Sequence, residues 1–203
     1  MTVVLSDMDG VLVDSTPAVV RTWEKWGRRL GVDGAAVAAA NHGRPGRDVL
    51  AQFFSGEELD AEAAAFEAAE VEDTEGVVPM PGAERVLELP RVAIVTSCTR
   101  PLALARLAAA GLREPAVLVT ADMVARGKPA PDPYLLGAEL MGAGPAECIV
   151  LEDAPAGIAA GRAAGMTVWA VATTHERGEL GGAQRIADGL EEHLAALALR
   201  RAA

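Results

Sequence analysis

The chain has 203 residues, of which 51% are hydrophobic, and a formal net charge of −11 at neutral pH. This length suits one domain with a large insertion or two small domains, and the hydrophobic content is ample for a core. The acidity argues against nucleic acid or an anionic membrane as a partner, and no stretch predicts a membrane span or a secretory signal, so we expect a cytoplasmic protein.

The first predicted element is a short buried strand over Val3 to Leu5. Two carboxylates, Asp7 and Asp9, follow it, and Gly10 then allows the backbone to turn so that both can face one small site. Two ionised carboxylates in a partly dry pocket repel unless a cation neutralises them, and Mg²⁺ prefers such oxygen ligands. The alternative is a structural turn in which an aspartate caps a helix.

Helices without strand signals are predicted next. They are a helix from Pro17 to Gly31 with Ser15 or Thr16 as its N-cap, an alanine-rich helix from Gly34, and helices over Arg47 to Phe54 and Glu57 to Asp73. Trp23 and Trp26 are three residues apart on the first helix and are expected to pack inside this region. The proline-rich stretch Val77 to Gly82 predicts a stiff connector, so residues 17–79 are expected to form a helical insertion.

The remainder alternates short apolar strands with helices, which indicates a parallel sheet covered on both faces. The predicted strands are Arg91 to Ser97, Ala116 to Thr120, Cys148 to Leu151, Thr167 to Ala172 and a weaker one near Ile186. The predicted helices are Leu102 to Ala110, Pro133 to Met141, Pro155 to Ala164 and a last one from Glu191. The fold class is therefore α/β, a Rossmann-like doubly wound parallel sheet with an inserted helical region.

Polar side chains follow the predicted strands at the carboxyl edge, where parallel sheets bind ligands. Ser97 ends one strand, Glu152 and Asp153 follow another, and Lys128 lies between glycine and proline in a loop. A hydroxyl and free N–H groups at a helix start form an anion site, and a lysine acts as a point charge on phosphate. Each has a structural alternative: Ser97 as a helix cap, Lys128 as a solvated lysine, and the acidic pair as a helix-dipole contact of about 0.3–1 kcal/mol.

Four strings in this order, DMDGVLVDST, VTSCTR, GKPAPDPY and EDAPAGIAAG, resemble the four motifs of the haloacid dehalogenase superfamily of Mg²⁺-dependent phosphohydrolases. The resemblance covers essentially the whole chain. The insertion resembles the small helical cap of the β-phosphoglucomutase-like branch, which implies a core of residues 1–16 and 80–203 and a cap of residues 17–79. Within that branch, the chain is most similar to sugar-phosphate, glycerol-phosphate and 2-deoxyglucose-6-phosphate phosphatases.

The resemblance implies a role for each core motif. Asp7 would be the nucleophile that forms an aspartyl-phosphate, and Asp9 the general acid and base. Mg²⁺ would be held by Asp7, the backbone carbonyl of Asp9 and Asp153, with Glu152 reaching its waters. The transferring phosphate would be bound by Ser97, by the N–H of Cys98, and by Lys128, which would also bridge to Asp7.

Substrate contacts from the cap are expected from Arg44, with His42 and Arg47 as further candidates, although all three have structural alternatives as solvated or buried polar residues. An arginine brought over the site by cap closure would bind hydroxyls or phosphate and exclude water. The chain departs from the family pattern at Ser6, where a bulky residue is usual, and at Cys98, where these phosphatases usually carry glycine. Cys98 narrows the room beside the phosphate, and we expect both cysteines to be reduced.

Several activities share these motifs. A β-phosphoglucomutase-like mutase has the same core residues and is the main alternative to a phosphatase. A dehalogenase does not need Asp9 or the metal pair, and a phosphonate hydrolase needs a cap lysine, for which Lys25 is the sole candidate. A catalytically silent binding module has no physical need for buried carboxylates. The expected substrate is a small phosphorylated sugar or polyol, with no nucleic-acid or membrane partner, and the sequence favours a monomer.

Overall fold

Parallel strands form the central sheet of the protein in a computed structural model that describes residues 2–41 and 43–202. Across this sheet the strand order is β5-β4-β1-β6-β7-β8, and each neighbouring pair is parallel. The strands of the described residues are β1 (Val3–Ser6), β2 (Val13–Asp14), β3 (Val78–Pro79), β4 (Val92–Val95), β5 (Leu118–Val119), β6 (Cys148–Glu152), β7 (Thr167–Val171) and β8 (Arg185–Ala187). The predicted α/β fold with a doubly wound parallel sheet is confirmed.

Both faces of the sheet are covered, because successive side chains of each strand point to opposite sides. In β1, Val4 joins one hydrophobic cluster, whereas Val3 and Leu5 join the other. The strands β4 and β6 divide their side chains between the same two clusters. A continuous apolar strand sequence is therefore needed here, which explains why the predicted strands lack alternation.

The helices follow the start and stop signals of the sequence. The helices of the described residues are α1 (Thr16–Leu30), α2 (Gly34–Ala40), α3 (Gly46–Leu50), α4 (Gly56–Glu72), α5 (Ala83–Leu87), α6 (Arg100–Ala109), α7 (Asp132–Leu140), α8 (Pro155–Ala163) and α9 (Leu190–Ala202). At α1, Pro17 lies in the first turn and Gly31 ends the helix with φ of 69°. Within the described part of the chain, no helix has both the length and the apolar character needed to cross a membrane.

The four-helix segment α1–α4 has a hydrophobic core of its own. Phe66 of α4 packs against Trp23 and Trp26 of α1, with ring centroids 4.5 and 5.0 Å apart. The predicted packing role of the two tryptophans is confirmed. Because this core is separate from the two clusters that cover the sheet, the segment can be stabilised independently of the sheet.

Four elements, β2, β3, α3 and α5, differ from the sequence prediction. Val13–Asp14 and Val78–Pro79 form a small antiparallel sheet, where the sequence suggested only a connector, because two-residue strands are too short to carry an alternating pattern. Helix α3 is shorter than the predicted Arg47 to Phe54 and ends at Leu50. Helix α5 was not predicted. The β2–β3 pair holds together the two chain connections that lead into and out of the four-helix segment.

Candidate active site

The polar residues of three sequence motifs converge at the carboxyl edge of the sheet. Strand β1 lies between β4 and β6, so the chain segments that leave these three strands are neighbours. Asp7 follows β1, Ser97 follows β4 by two residues, and Glu152 and Asp153 stand at the end of β6. The structure therefore brings together residues that are up to 146 positions apart, counted as 153 minus 7.

Lys128 is buried among these carboxylates and is only 2% exposed, unlike a solvated loop lysine. Its Nζ lies 3.0 Å from Oδ1 of Asp7 and 2.7 Å from Oε1 of Glu152, and it donates to the backbone carbonyl of Val95 at 3.1 Å. Burial opposes the charge of Lys128, but the two carboxylates outweigh burial and hold its pKa above the usual value. The ammonium is therefore a fixed positive charge beside Asp7.

Glu152 is fully buried, and both of its carboxylate oxygens accept hydrogen bonds. Oε1 accepts from Lys128 and from the hydroxyl of Tyr134 at 2.8 Å, and Oε2 accepts from the N–H groups of Asp153 and Ala154 at 3.0 and 3.1 Å. Burial would raise the pKa of Glu152, but Lys128 and Tyr134 outweigh it and hold the pKa below its usual value. Glu152 thus fixes both Lys128 and the backbone of Asp153.

Tyr134, the chain's single tyrosine, was not predicted to have a role at the site. It is fully buried and projects from α7 onto Glu152. The sequence signal was its place next to the Lys128 motif, in the string GKPAPDPY. A tyrosine hydroxyl that is buried requires a hydrogen-bond partner, and here a buried carboxylate provides it.

Gly157 of α8 allows the helix to pack directly on Glu152. A Cβ atom at this position would lie 1.6 Å from Oε1 of Glu152. We expect Gly157→Ala to lower the free energy of unfolding by about 1–3 kcal/mol, because this clash outweighs the better helix propensity of alanine. Urea unfolding measures this loss, and Gly178→Ala is the matched control, since nothing lies within 4 Å of a Cβ there. Equal unfolding midpoints for the two variants would contradict the close packing.

Asp153 is fully buried and packs against the turn that follows Asp9. A Cβ on Gly10, whose φ is 77°, would lie 2.0 Å from Oδ2 of Asp153. The hydroxyl of Thr174 donates to the same carboxylate oxygen, and the hydroxyl of Thr173 donates to the carbonyl of Gly10 at 2.5 Å. Gly10 is therefore required for the close approach of its backbone to Asp153 as well as for the turn. Thr174 contacts the site through Asp153, although the sequence did not indicate it.

The acidic residues could hold a divalent metal ion. Asp7, Glu152 and Asp153 are buried, and each offers a carboxylate oxygen that lies within 4.8 Å of the others. Burial raises the pKa of Asp7, Lys128 opposes that rise, and the charges of Glu152 and Asp153 add to it. Mg²⁺ prefers oxygen ligands such as carboxylates. The three carboxylates also carry more negative charge than the single ammonium of Lys128 can neutralise. The donor set fits this ion. Glu152 is the least suited of the three to bind it directly, because both of its oxygens already accept hydrogen bonds.

Asp9 is held by a different group of side chains. Ser15 donates its hydroxyl to Oδ1 at 2.5 Å, Arg106 approaches the same oxygen at 3.0 Å, and the thiol of Cys98 donates to Oδ2 at 3.1 Å. Ser15 is the N-cap residue of α1, as one of the two predicted candidates, but its side chain makes no helix-capping hydrogen bond. It contacts Asp9 instead.

Arg106 was not predicted as a site residue, although the sequence carries a signal for it. It lies on the buried stripe of α6 together with Leu102 and Ala103, where an apolar residue is usual. A buried arginine requires a carboxylate partner, which could have been sought among the acidic residues of the motifs. Only the fold shows that this partner is Asp9.

The donors predicted to bind phosphate after β4 have internal partners in this structure. Ser97 donates to the carbonyl of Gly43 at 2.8 Å, which joins the sheet edge to the four-helix segment, and the N–H of Cys98 donates to the hydroxyl of Thr96 at 3.1 Å. Burial raises the pKa of the Cys98 thiol well above its usual value, so this cysteine has no reactive thiolate character. Cys98 and Cys148 are both free and buried.

A cavity of about 580 Å³ lies between the sheet edge and the four-helix segment. Asp7, Asp9 and Ser97 line it from the sheet, and Arg44 and Arg47 line it from the segment. Both arginines are exposed: Arg44 donates to the side chain of Asn41 at 3.1 Å, and Arg47 pairs with Asp60 at 2.5 Å. His42 lies outside the described residues.

Comparison with known proteins gives concordant results. A family model described as haloacid dehalogenase-like hydrolase matches residues 1–165. Hexitol phosphatase A of Escherichia coli (strain K12) is 44% identical over 197 residues, which cover 93% of this chain and 91% of that protein. Glycerol-1-phosphate phosphohydrolase 2 of Saccharomyces cerevisiae is 34% identical over 187 residues, or 85% and 75% of the two chains. The crystal structure of a hydrolase from Pseudomonas syringae matches with a TM-score of 0.87 at 26% identity, and covers 97% of this chain and 99% of that one.

Proposed function

The chain belongs to the haloacid dehalogenase-like hydrolases, and from this membership we propose that it is a Mg²⁺-dependent phosphatase of small sugar or polyol phosphates. The observation that carries the proposal is the buried arrangement of Asp7, Lys128 and Asp153, of which Asp7 lines the cavity. A carboxylate that faces the substrate beside a fixed ammonium suits a reaction in which negative charge develops on a phosphoryl group. The two curated relatives, which are named for phosphates of a hexitol and of glycerol, support the substrate class.

We assign the reaction steps to residues as follows. An oxygen of Asp7 attacks phosphorus, the bond from phosphorus to the alcohol oxygen breaks, and Asp9 protonates the departing alkoxide. Asp9 then takes a proton from water, whose oxygen attacks the aspartyl-phosphate and releases inorganic phosphate and free Asp7. Lys128 stays paired with Asp7 and places its positive charge beside the phosphoryl group. Ser97 and the N–H of Cys98 would exchange their present acceptors, the carbonyl of Gly43 and the hydroxyl of Thr96, for phosphate oxygens.

The metal would be held by Asp7, Asp153 and the backbone carbonyl of Asp9. When bound, Mg²⁺ would neutralise the carboxylates and the charge of the phosphoryl group. Glu152 keeps its position as an acceptor for Lys128 and the backbone N–H of Asp153, and would reach the metal only through water. These assignments agree with the raised pKa of Asp7, because a cation is needed to keep that buried carboxylate ionised.

We further propose that the core comprises residues 1–16 and 80–203 and that residues 17–79 form a cap over the cavity. Two observations support this division: the four-helix segment has its own hydrophobic core, and the β2–β3 pair closes its connection to the sheet. Arg44 and Arg47 would contact the part of the substrate beyond the phosphate, since both line the cavity from the cap side. His42 stays a candidate from the sequence analysis alone.

The alternatives differ from a phosphatase in observable ways. A mutase would convert one sugar phosphate into its isomer without releasing phosphate. A phosphonate hydrolase would need Lys25 in the cavity, but its ammonium lies over the ring of Trp26 at 5.4 Å on the exposed side of α1. A binding module would show no metal-dependent turnover, and it would have no use for the buried charges in catalysis.

Phosphate release tests the proposal directly. Glycerol phosphate, hexose 6-phosphates, hexose 1-phosphates, 2-deoxyglucose 6-phosphate, hexitol phosphates and p-nitrophenyl phosphate are assayed with Mg²⁺ and with EDTA. We expect release that EDTA abolishes and Mg²⁺ restores. Conversion of glucose 1-phosphate to the 6-phosphate without release would indicate the mutase, and no turnover of any substrate would contradict an enzyme.

Arg44→Ala is expected to affect substrates unequally. The rate on sugar or polyol phosphates should fall about tenfold or more, because the guanidinium supplies hydrogen bonds to the substrate beyond its phosphate, whereas the rate on p-nitrophenyl phosphate should change much less. The ratio of kcat/KM between the two substrates is the measurement. Arg28→Ala is the matched control, since this exposed arginine of α1 lies outside the cavity lining. An equal loss on both substrates would argue against a role in selectivity.

A cytoplasmic location and a monomeric state stay predictions. Size-exclusion chromatography with light scattering tests the second of these.

A further inference from the structure

A buried ion-pair chain runs from Asp9 on the sheet side to Glu70 on α4. Arg106 of α6 is its middle member, with one terminal nitrogen 3.0 Å from Oδ1 of Asp9 and the other 2.8 Å from Oε1 of Glu70. The same nitrogen that approaches Asp9 also donates to the sulfur of Cys98 at 3.2 Å. One guanidinium therefore joins a motif residue of the sheet edge to a helix of the four-helix segment.

All three side chains are largely removed from solvent. Their exposed fractions are 5% for Arg106, 17% for Asp9 and 11% for Glu70. Burial raises the pKa of Glu70, and Arg106 opposes that rise. A buried charge that loses its partner is strongly unfavourable, whereas an exposed ion pair can open at little cost. The ion pairs of Arg106 with Asp9 and Glu70 are therefore expected to stay formed, because breaking either one would leave a buried charge without its partner.

The guanidinium of Arg106 also restricts the relative positions of the two carboxylates that it contacts. Its planar fork fixes the directions of its N–H groups relative to one another, which a lysine ammonium does not do. Ser15 and Cys98 also contact Asp9, and neither of them belongs to α4. Among the described residues, Arg106 contacts both Asp9 and Glu70. A movement of α4 that displaces Glu70 therefore acts on Asp9 through Arg106.

We propose that Arg106 is a positioning residue that couples the position of α4, through Glu70, to the carboxylate of Asp9. This inference rests on the proposed function, in which Asp9 protonates the leaving alkoxide and then activates water. When α4 is in place, the carboxylate of Asp9 is held in one orientation at the cavity wall. When Glu70 moves away, Arg106 loses one of its two carboxylate partners and Asp9 loses its fixed orientation. Closure of the four-helix segment thereby prepares proton transfer as well as excluding water.

The leaving group distinguishes a positioning role from a structural one. An alkyl phosphate such as a hexitol phosphate or glycerol phosphate needs a proton on its departing oxygen, whereas p-nitrophenolate leaves with little help. General acid catalysis contributes about 10²–10⁴-fold, so misplacing the acid should cost part of this factor in the step that releases the alcohol, and for the alkyl substrate only. The later hydrolysis of the aspartyl-phosphate, which Asp9 also assists, is common to both substrates and is kept apart by measuring the first turnover. Substrate binding through the phosphate should be unaffected, so the loss should be in kcat and not in KM.

The experiment compares Arg106→Lys and Glu70→Gln with wild type, in the presence of Mg²⁺. For Arg106→Lys we expect the first-turnover rate of alcohol release from the alkyl phosphate to fall about 10–100-fold and that of p-nitrophenolate release to fall less than about threefold. For Glu70→Gln we expect a smaller loss, about 3–10-fold, with the same substrate preference. The matched control is Glu58→Gln on the same helix, an exposed residue outside the cavity lining, which should leave both rates within about twofold.

The double variant Arg106→Lys/Glu70→Gln tests the coupling itself. If Glu70 acts through Arg106, its substitution should cost little once Arg106 is already lysine, so the two losses should not multiply. Thermal unfolding of each variant separates misfolding from misplacement, and Glu70→Gln alone decides the question if Arg106→Lys does not fold. Equal losses in the first-turnover release of the two leaving groups, or losses that multiply in the double variant, would overturn the coupling. Absence of Mg²⁺-dependent release by the wild type would instead reject the proposed function.

Discussion

Asp7→Asn is expected to abolish phosphate release, with a fall in kcat of about 10³-fold or more on every substrate. The substitution replaces an anionic oxygen by a neutral amide that cannot form the acyl-phosphate bond to phosphorus. Because the oxygen that lies 3.0 Å from Lys128 can be kept as the amide carbonyl, the side chain retains an acceptor for that ammonium. The fold should therefore be preserved, since one buried negative charge is removed from a cluster of three.

Asp14→Asn is the matched control for this prediction. Asp14 lies seven positions further along, and its carboxylate accepts a hydrogen bond from the N–H of Thr16 at 3.1 Å, outside the cavity lining. An asparagine can make the same contact, so activity should stay within about twofold of wild type. Steady-state release and a thermal unfolding curve are measured for both variants. Turnover near the wild-type rate in Asp7→Asn would reject Asp7 as the nucleophile.

Lys128→Met is expected to cause the largest loss of stability, about 3–5 kcal/mol, together with loss of activity. The methionine fills a similar volume, but it leaves Asp7 and Glu152 without the ammonium that lies within 3.0 Å of both. Tyr134 and two backbone N–H groups still bond to Glu152, so the unpaired charge falls mainly on Asp7. Urea unfolding measures the change in free energy.

The other lysine of the chain provides the control. Lys25→Met removes an exposed ammonium whose contact is with the ring of Trp26 at 5.4 Å, and such a contact contributes about 0.5–1 kcal/mol. The second test is Lys128→Met/Asp7→Asn, in which part of the lost stability should return because one unpaired carboxylate is neutralised. If Lys128→Met unfolded at the same urea concentration as Lys25→Met, the buried ion pairs would not be the source of stability that the distances indicate.

Local pattern was enough to predict most of the fold. Apolar runs predicted the strands around β1, β4 and β6, and proline and glycine marked the ends of α1. The carboxylates of Asp7 and Asp153 could be placed at one sheet edge because parallel strands share a direction. The β2–β3 pair could not be predicted, because its two-residue strands are stabilised by a partner 64 positions away, counted as 78 minus 14, and carry no pattern of their own.

The sequence by itself determined which residue types stand at the ends of the strands, since motif and strand are local properties of the chain. The tertiary structure alone decided their partners. Tyr134 contacts Glu152, and Arg106 contacts both Asp9 and Glu70, across separations that no local signal encodes. The reason is physical: a buried polar group must find a partner wherever the packed chain brings one, so its identity depends on how helices and sheet pack and not on neighbours in sequence.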